Sequence, residues 1–322
     1  MKSIIQFNKL LQLSSILIPG VIIALISHQP YWILATFYAI CSIIPYTEHQ
    51  NLKFALLMLT GLFISSEILS YLIVQVPLLF IIILVLISCL ISIIEKNKPS
   101  YRPISAYLFI GLIYSSFEIN HYFVHRSYSV IILIFILSVV SLFIGIFFED
   151  NHKQPLDVLL NFNLKQLYDY TAYPIVLMIT LFLWYQFDIP QPQWFIWSAL
   201  TVTNLNINQI HQKFINRLTG ALIGLPLGII SILMIQLLAS NYLNLMQLIH
   251  YVSFMGIILS LRIFKDYIYG FAARCYFVSI FAGDYFIYAS ISRISDVFIG
   301  GLIGYGISYC LNKLKLLQNN IH

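Results

Sequence analysis

Charge is scarce in this sequence. Of its 322 residues only 9% are Asp, Glu, Lys or Arg, against about a quarter in soluble domains. So little charge excludes a water-facing surface over most of the chain. Cysteine is sparse as well. Cys41, Cys89, Cys275 and Cys310 all lie inside apolar runs and form no Cys-x-x-Cys motif, which excludes a disulfide framework or a thiolate metal site. There is no Gly-x4-Gly-Lys phosphate loop, so ATP is not the energy source, and no motif implies a cofactor. The net charge of +5 is spread over short segments. It forms no basic patch and therefore no nucleic-acid footprint.

What the sequence has is apolar length, with 60% of residues hydrophobic. A hydrocarbon core about 30 Å thick needs about 20 mainly apolar residues per helix, and such stretches follow one another here with hardly a break. A soluble core could not absorb so much apolar surface, because a folded chain still has a large exterior to cover. The runs are unbroken and not alternating, which argues against a β-barrel. The expectation is an all-α polytopic membrane protein whose first partner is the lipid bilayer. Lys2 and Lys9 precede an apolar run from Leu10 to Ile26, as in a signal peptide. The run lacks a small-x-small cleavage site and leads at once into a second apolar segment, so it reads as an uncleaved first helix.

Polar or proline-containing breaks divide the chain into twelve segments, at about 10–27, 31–47, 54–75, 77–94, 103–119, 128–148, 171–187, 194–210, 217–239, 246–261, 267–284 and 293–311. Several are shorter than a full span, which leaves tilted or re-entrant geometry and a count of ten or eleven open. With the N-terminus inside, one set of ends and loops holds fourteen of the seventeen Lys and Arg residues. The other set holds Arg126 and Arg293, and Arg274 lies inside a span. The positive-inside rule then places both termini in the cytoplasm.

The longest polar stretch, Glu149 to Asp169, divides the chain nearly in half. It is read as a cytoplasmic linker (150–169) between six-helix modules at 1–149 and 170–322. The halves share faint patterns. Trp32-x3-Thr36 recurs as Trp197-x3-Thr201, and Lys53-Phe54 with Leu59-Thr60-Gly61 recurs as Lys213-Phe214 with Leu218-Thr219-Gly220. Six helices per half make such repeats parallel. The second half adds Arg217-x2-Gly220-x3-Gly224-x3-Gly228 and Arg293-x2-Asp296-x3-Gly300-x3-Gly304. Glycine at every fourth position gives a smooth helix face for close backbone approach, which plain helix packing also explains.

Trp197-Ser-Ala-Leu-Thr-Val202, Arg217-Leu-Thr-Gly-Ala-Leu-Ile-Gly224 and Arg293-Ile-Ser-Asp-Val-Phe-Ile-Gly300 together resemble the fusaric acid resistance and aromatic acid exporter family. Plant aluminium-activated malate transporters are more distantly similar. The resemblance runs over about 170–312 and is weak over 10–148, where Met58 stands at the position the repeat gives to arginine. It implies export of organic anions, often aromatic carboxylates, across a bacterial inner membrane. It also implies a periplasmic adaptor of the membrane-fusion type as a candidate partner. Larger members carry sizeable cytoplasmic domains, and these 322 residues hold no polar stretch of that size.

Charges inside the bilayer need a partner or a watery cavity. Arg274 lies between Ala273 and Cys275, well inside the eleventh segment. Its planar fork suits a carboxylate, and a buried pair with Asp284 or Glu67 is the competing reading. Arg217 and Arg293 are the other candidate substrate-binding residues, with anchoring at the helix end and a local Arg293–Asp296 pair as alternatives. Glu67, Asp284 and Asp296 are the candidates for a coupling proton, against ordinary interfacial or helix-end roles. Glu118, His121 and His125 share a helical face and form a weak metal candidate beside the plainer reading of interfacial histidines. The reading is a secondary transporter exporting small organic acids, open to homo-oligomer formation and not an enzyme. Its rivals are a passive anion channel, a membrane-embedded enzyme using the Glu118 cluster, and a structural subunit of a larger assembly.

Overall fold

The computed structural model describes residues 5–29, 31–97, 101–122, 127–148, 167–203, 207–239 and 243–319. They are helical almost throughout. The first half supplies α1 (Phe7–Ser27), α2 (Tyr31–His49), α3 (Leu52–Gln75), α4 (Pro77–Asn97), α5 (Arg102–Tyr122) and α6 (Tyr128–Phe147). The second supplies α7 (Leu167–Phe187), α8 (Pro192–Val202), α9 (Ile207–Ala239), α10 (Leu243–Leu259), α11 (Tyr267–Phe281) and α12 (Phe286–Ser295). A π turn at Asp296–Gly300 carries the chain on into α13 (Gly301–Asn319).

Among the described residues six helices are long and apolar enough to cross a membrane, and four shorter apolar ones have 10–17 residues. In water such an exterior would be a liability. Leu57, Leu86, Phe182, Leu222 and Leu237 all present most of their side chains outward, as lipid-facing residues should.

Several boundaries differ from the sequence reading. The eighth segment, expected at 194–210, is the 11-residue α8. At 1.5 Å per residue it is about 16 Å long and cannot cross the hydrocarbon core alone. The ninth, expected at 217–239, starts at Ile207 and runs 33 residues. His211, Lys213 and Arg217 read as a polar break, but the helical backbone satisfies its own hydrogen bonds whatever the side chains are. The twelfth, expected at 293–311, begins at Phe286. Most of the expected linker, 150–166, lies outside the described residues, and from Leu167 the chain is already helical.

The chain forms two compact units, each drawing on both halves of the sequence. The first comprises 1–64, 122–155 and 216–294. There α2 packs on α1 and α6, α1 on α6 and α10, and α10 on α11. Every residue of α2 from Ile33 to Pro45 is buried, so it is apolar all round and central. Gln12 Nε2 ties α1 to α6 by donating to the Gly145 carbonyl at 3.2 Å. The second unit comprises 65–121, 156–215 and 295–322. There α7 packs on α4, α8 and α13, and α8 on α13 and the π turn. Phe117 meets Trp184 edge-on at 5.0 Å and Phe80 at 5.5 Å. The short α8 is nearly all buried. Its approach to the last helix needs Gly300, where a Cβ would lie 2.8 Å from the Phe195 carbonyl oxygen.

Candidate anion-binding site

The glycine stripe of α9 faces α11. A Cβ at Gly224 would run into the Ala272 carbonyl, and one at Gly228 would sit 2.6 Å from the Tyr276 carbonyl oxygen. Only bare backbone allows that approach. The small residues around Arg274 complete the fit, since Ala272 and Cys275 are what Gly224 meets. Close contact of α9 with α11 brings the arginine at the head of the stripe over the aromatic face of the partner helix.

That face is Phe271, which is fully buried. Arg217 from α9 places its guanidinium carbon 4.3 Å from the ring centroid. Arg274, one turn on along α11, lies at 5.6 Å, and Arg293 from α12 also lies at 5.6 Å. All three fall within the roughly 6 Å range of a cation–π contact. They are 0%, 5% and 1% exposed respectively. Arg217 Nη1 also donates to the Tyr267 hydroxyl at 2.7 Å, and the Tyr267 and Phe271 rings stack at 6.1 Å. Arg274 Nε donates to Ser260 Oγ at 3.4 Å.

Each guanidinium carbon is within 5.6 Å of one centroid, so any two are at most twice that far apart. Like charges at that separation repel by roughly 1.5 kcal/mol per pair at an effective dielectric near 20. Burying each cation costs several kcal/mol more. The Phe271 ring offsets part of this through its negative face, at about 2 kcal/mol per desolvated contact. Three cations gathered in one buried place call for negative charge nearby.

The structure thus brings Arg217, Arg274 and Arg293 together. Arg217 is not at a helix end as expected but ten residues into α9, and Arg293 is in the last turn of α12, just before the π turn. The proton candidates belong to the other elements of the chain. Glu67 is half-buried on α3 and Asp296 is buried in the π turn, both in the second unit. The side chain of Asp284 lies outside the described ones, and its backbone forms a 3-10 turn, Gly283–Tyr285. Arg274 contacts Ser260 and Phe271. Glu118 Oε1 accepts from Gln193 Nε2 at 3.0 Å. The His121 side chain and His125 lie outside the described residues, among which no group of three His, Cys, Asp or Glu could hold a metal ion.

Sequence reasoning missed Phe271, Tyr267 and Ser260. The signal for two of them was present, since Tyr267, Phe271 and Arg274 stand at i, i+4 and i+7 and so share one face of α11. Ser260 precedes the turn before α11, and no spacing rule points to it.

Residues 176–307 match the family model described as fusaric acid resistance protein-like. The matched stretch contains α8 to α12 and all three arginines. No curated protein and no solved structure matches the chain. The likeness to plant malate transporters and the reading of the first half rest on their quoted residues alone.

Proposed function

We propose that this multi-pass membrane protein, whose 176–307 segment belongs to the fusaric acid resistance-like family, is a secondary transporter exporting small organic anions. The observation that carries the reading is the meeting of three buried guanidiniums at Phe271. Intramembrane charges of this kind mark substrate pathways. The family resemblance adds aromatic carboxylates as the first substrates to try and a bacterial inner membrane as the setting. Cytoplasmic termini are supported by the buried arginines themselves. Arg217 and Arg293 are not loop charges, and leaving both out gives thirteen Lys and Arg on one side against Arg126 on the other.

Two parallel six-helix repeats are supported by a recurring packing scheme. In one unit α1, α2 and α6 pack mutually and α10 joins α1; in the other α7, α8 and α13 pack mutually and α4 joins α7. With α12, the π turn and α13 taken as one helix, the two schemes differ by six helices throughout. The fourth helix of each half packs on the first helix of the other. The Trp-x3-Thr pairs fall on the buried central helices α2 and α8.

The test is flux from proteoliposomes loaded with radiolabelled benzoate under an imposed pH gradient or potential. Uptake or release that depends on the gradient, and is lost in Arg274→Gln, supports the transporter. Conduction under voltage clamp without proton coupling would make it a channel. No flux of any organic acid would end the reading.

A further inference from the structure

We infer that the turn between α10 and α11 holds the phosphate of an anionic phospholipid, with Arg262 as the residue that grips it. The turn, 260–266, lies in the first unit, where the chain entering α1 and the end of α2 meet it. Its backbone is bound on both sides. Gln6 N–H donates to the Ile263 carbonyl at 2.8 Å, and Ile5 pairs with Phe264 in an antiparallel bridge. Arg262 N–H donates back to the Leu259 carbonyl at 3.2 Å and closes the end of α10. Beyond α2, Asn51 Oδ1 accepts from Phe54 N–H at 3.0 Å, and the His49 and Phe54 rings meet edge-on at 5.9 Å.

The Arg262 side chain is the loosely held part of this turn. Its Nη2 donates to Thr47 Oγ1 at 3.4 Å, a long bond to a hydroxyl that already gives its own proton to the Ile44 carbonyl at 2.9 Å. Its Nη1 is shielded from solvent and has no hydrogen-bond partner among the described residues. A charged donor without an acceptor is costly. Arg262 as a whole is half-buried and not sealed in, so rotation of its last torsions brings the fork to the surface. There a phosphate answers both Nη atoms at once, in two-pronged fashion. The surroundings select a lipid phosphate. Phe7, Tyr267 and Tyr269, at the adjoining ends of α1 and α11, are exposed, and outward aromatics at helix ends mark a membrane–water boundary. Lys9, Lys53 and Lys265 stand on the same segments, against Glu48 and Asp266, so cations exceed acids. Basic sites between helices at such a boundary suit anionic headgroups.

Native mass spectrometry of the purified full chain in detergent reads the site. The chain is equilibrated with equal amounts of dioleoyl phosphatidylglycerol and dioleoyl phosphatidylcholine at constant ionic strength. Phosphatidylcholine carries the same phosphate beside a cation, which the surplus of lysines repels. Phosphatidylglycerol is expected to be retained about tenfold more than phosphatidylcholine. Arg262→Gln should lower that ratio to about twofold or less. Arg262→Lys should recover only part of it, because an ammonium loses the fork. Lys313→Gln removes the same charge from the other unit and should keep the parent ratio. Equal retention of both lipids by the parent, or an unchanged ratio in Arg262→Gln, overturns the inference. If Arg262→Gln does not accumulate, Arg262→Lys decides, and a full parent ratio in it overturns the two-pronged grip. A separate arm compares melting temperatures with phosphatidylglycerol and with inorganic phosphate. An equal rise with inorganic phosphate makes the ligand a free phosphate and overturns the lipid. Flux plays no part in the test, so its outcome is independent of the organic-anion reading.

Discussion

Arg217 donates a hydrogen bond to the Tyr267 hydroxyl at 2.7 Å while lying over the ring of Phe271, on which Tyr267 itself stacks. The tyrosine thus fixes the arginine twice, directly and through the shared ring. Tyr267→Phe keeps the stack and removes the acceptor. The variant should insert normally, lose about 1 kcal/mol of stability and bind substrate more weakly. Thermal unfolding in detergent and the benzoate flux assay read the two effects separately. Unchanged values for both would show that the hydroxyl does not hold Arg217.

Phe271 is the common contact of three cations, so its charge distribution matters as well as its volume. Phe271→Leu fills most of the space but has no negative ring face. Destabilisation of about 1–2 kcal/mol is expected, measured as a lower denaturation midpoint. Phe271→Trp, with a stronger ring field, should do better than Leu if the larger side chain fits. A Leu variant as stable as the parent would mean that cation–π contact contributes nothing here.

Arg274→Gln should separate stability from transport. Its partner is Ser260, a neutral hydroxyl that glutamine can also use. Removing one of three like charges relieves repulsion of roughly 1.5 kcal/mol for each pair it belongs to. The ligand-free variant is therefore expected to melt at the same temperature as the parent or higher, and to lose flux. A marked drop in melting temperature, restored by removing an acid such as Asp284, would instead identify a structural ion pair.

The α9–α11 contact depends on Gly224, where a Cβ would meet the Ala272 carbonyl. Gly224→Ala should force the helices apart and displace Arg217 from Phe271. Gly61, with nothing near its Cβ position, is the matched control, and Gly61→Ala should be silent. Abundance in the membrane and flux distinguish the two. A functional Gly224→Ala protein would show that the helices tolerate a wider spacing.

Glu118 and Gln193 meet at 3.0 Å across α5 and α8. Glu118→Gln keeps an acceptor for the Gln193 amide and should leave stability unchanged. Glu118→Ala strands that amide, 6% exposed, at a cost of about 1–3 kcal/mol. Equal melting temperatures for the two variants would remove the pair from the account of this unit.

Much of the helical layout was legible because apolar length reports directly on membrane helices. Where the sequence misled, polar side chains were taken as chain breaks. Lys213 and Arg217 sit inside α9, while α8 ends at Val202. The three arginines were legible because charge in an apolar run stands out. Their convergence was not, since it depends on which helices the glycine stripes bring together. Phe271 was hidden for a different reason: with twenty-four phenylalanines in the chain, no composition argument singles one out.

The crosswise packing of fourth helices has a consequence for how the protein is made. As α4 leaves the ribosome its neighbour α7 has not been synthesised, and α1 waits longer still for α10. At 5–20 residues per second these delays are on the order of ten seconds. During that time half-built bundles sit in the membrane with faces meant for later helices. Neither half can complete its own bundle, so fragments cut between 150 and 166 should be short-lived when made alone and should protect one another from proteolysis when made together.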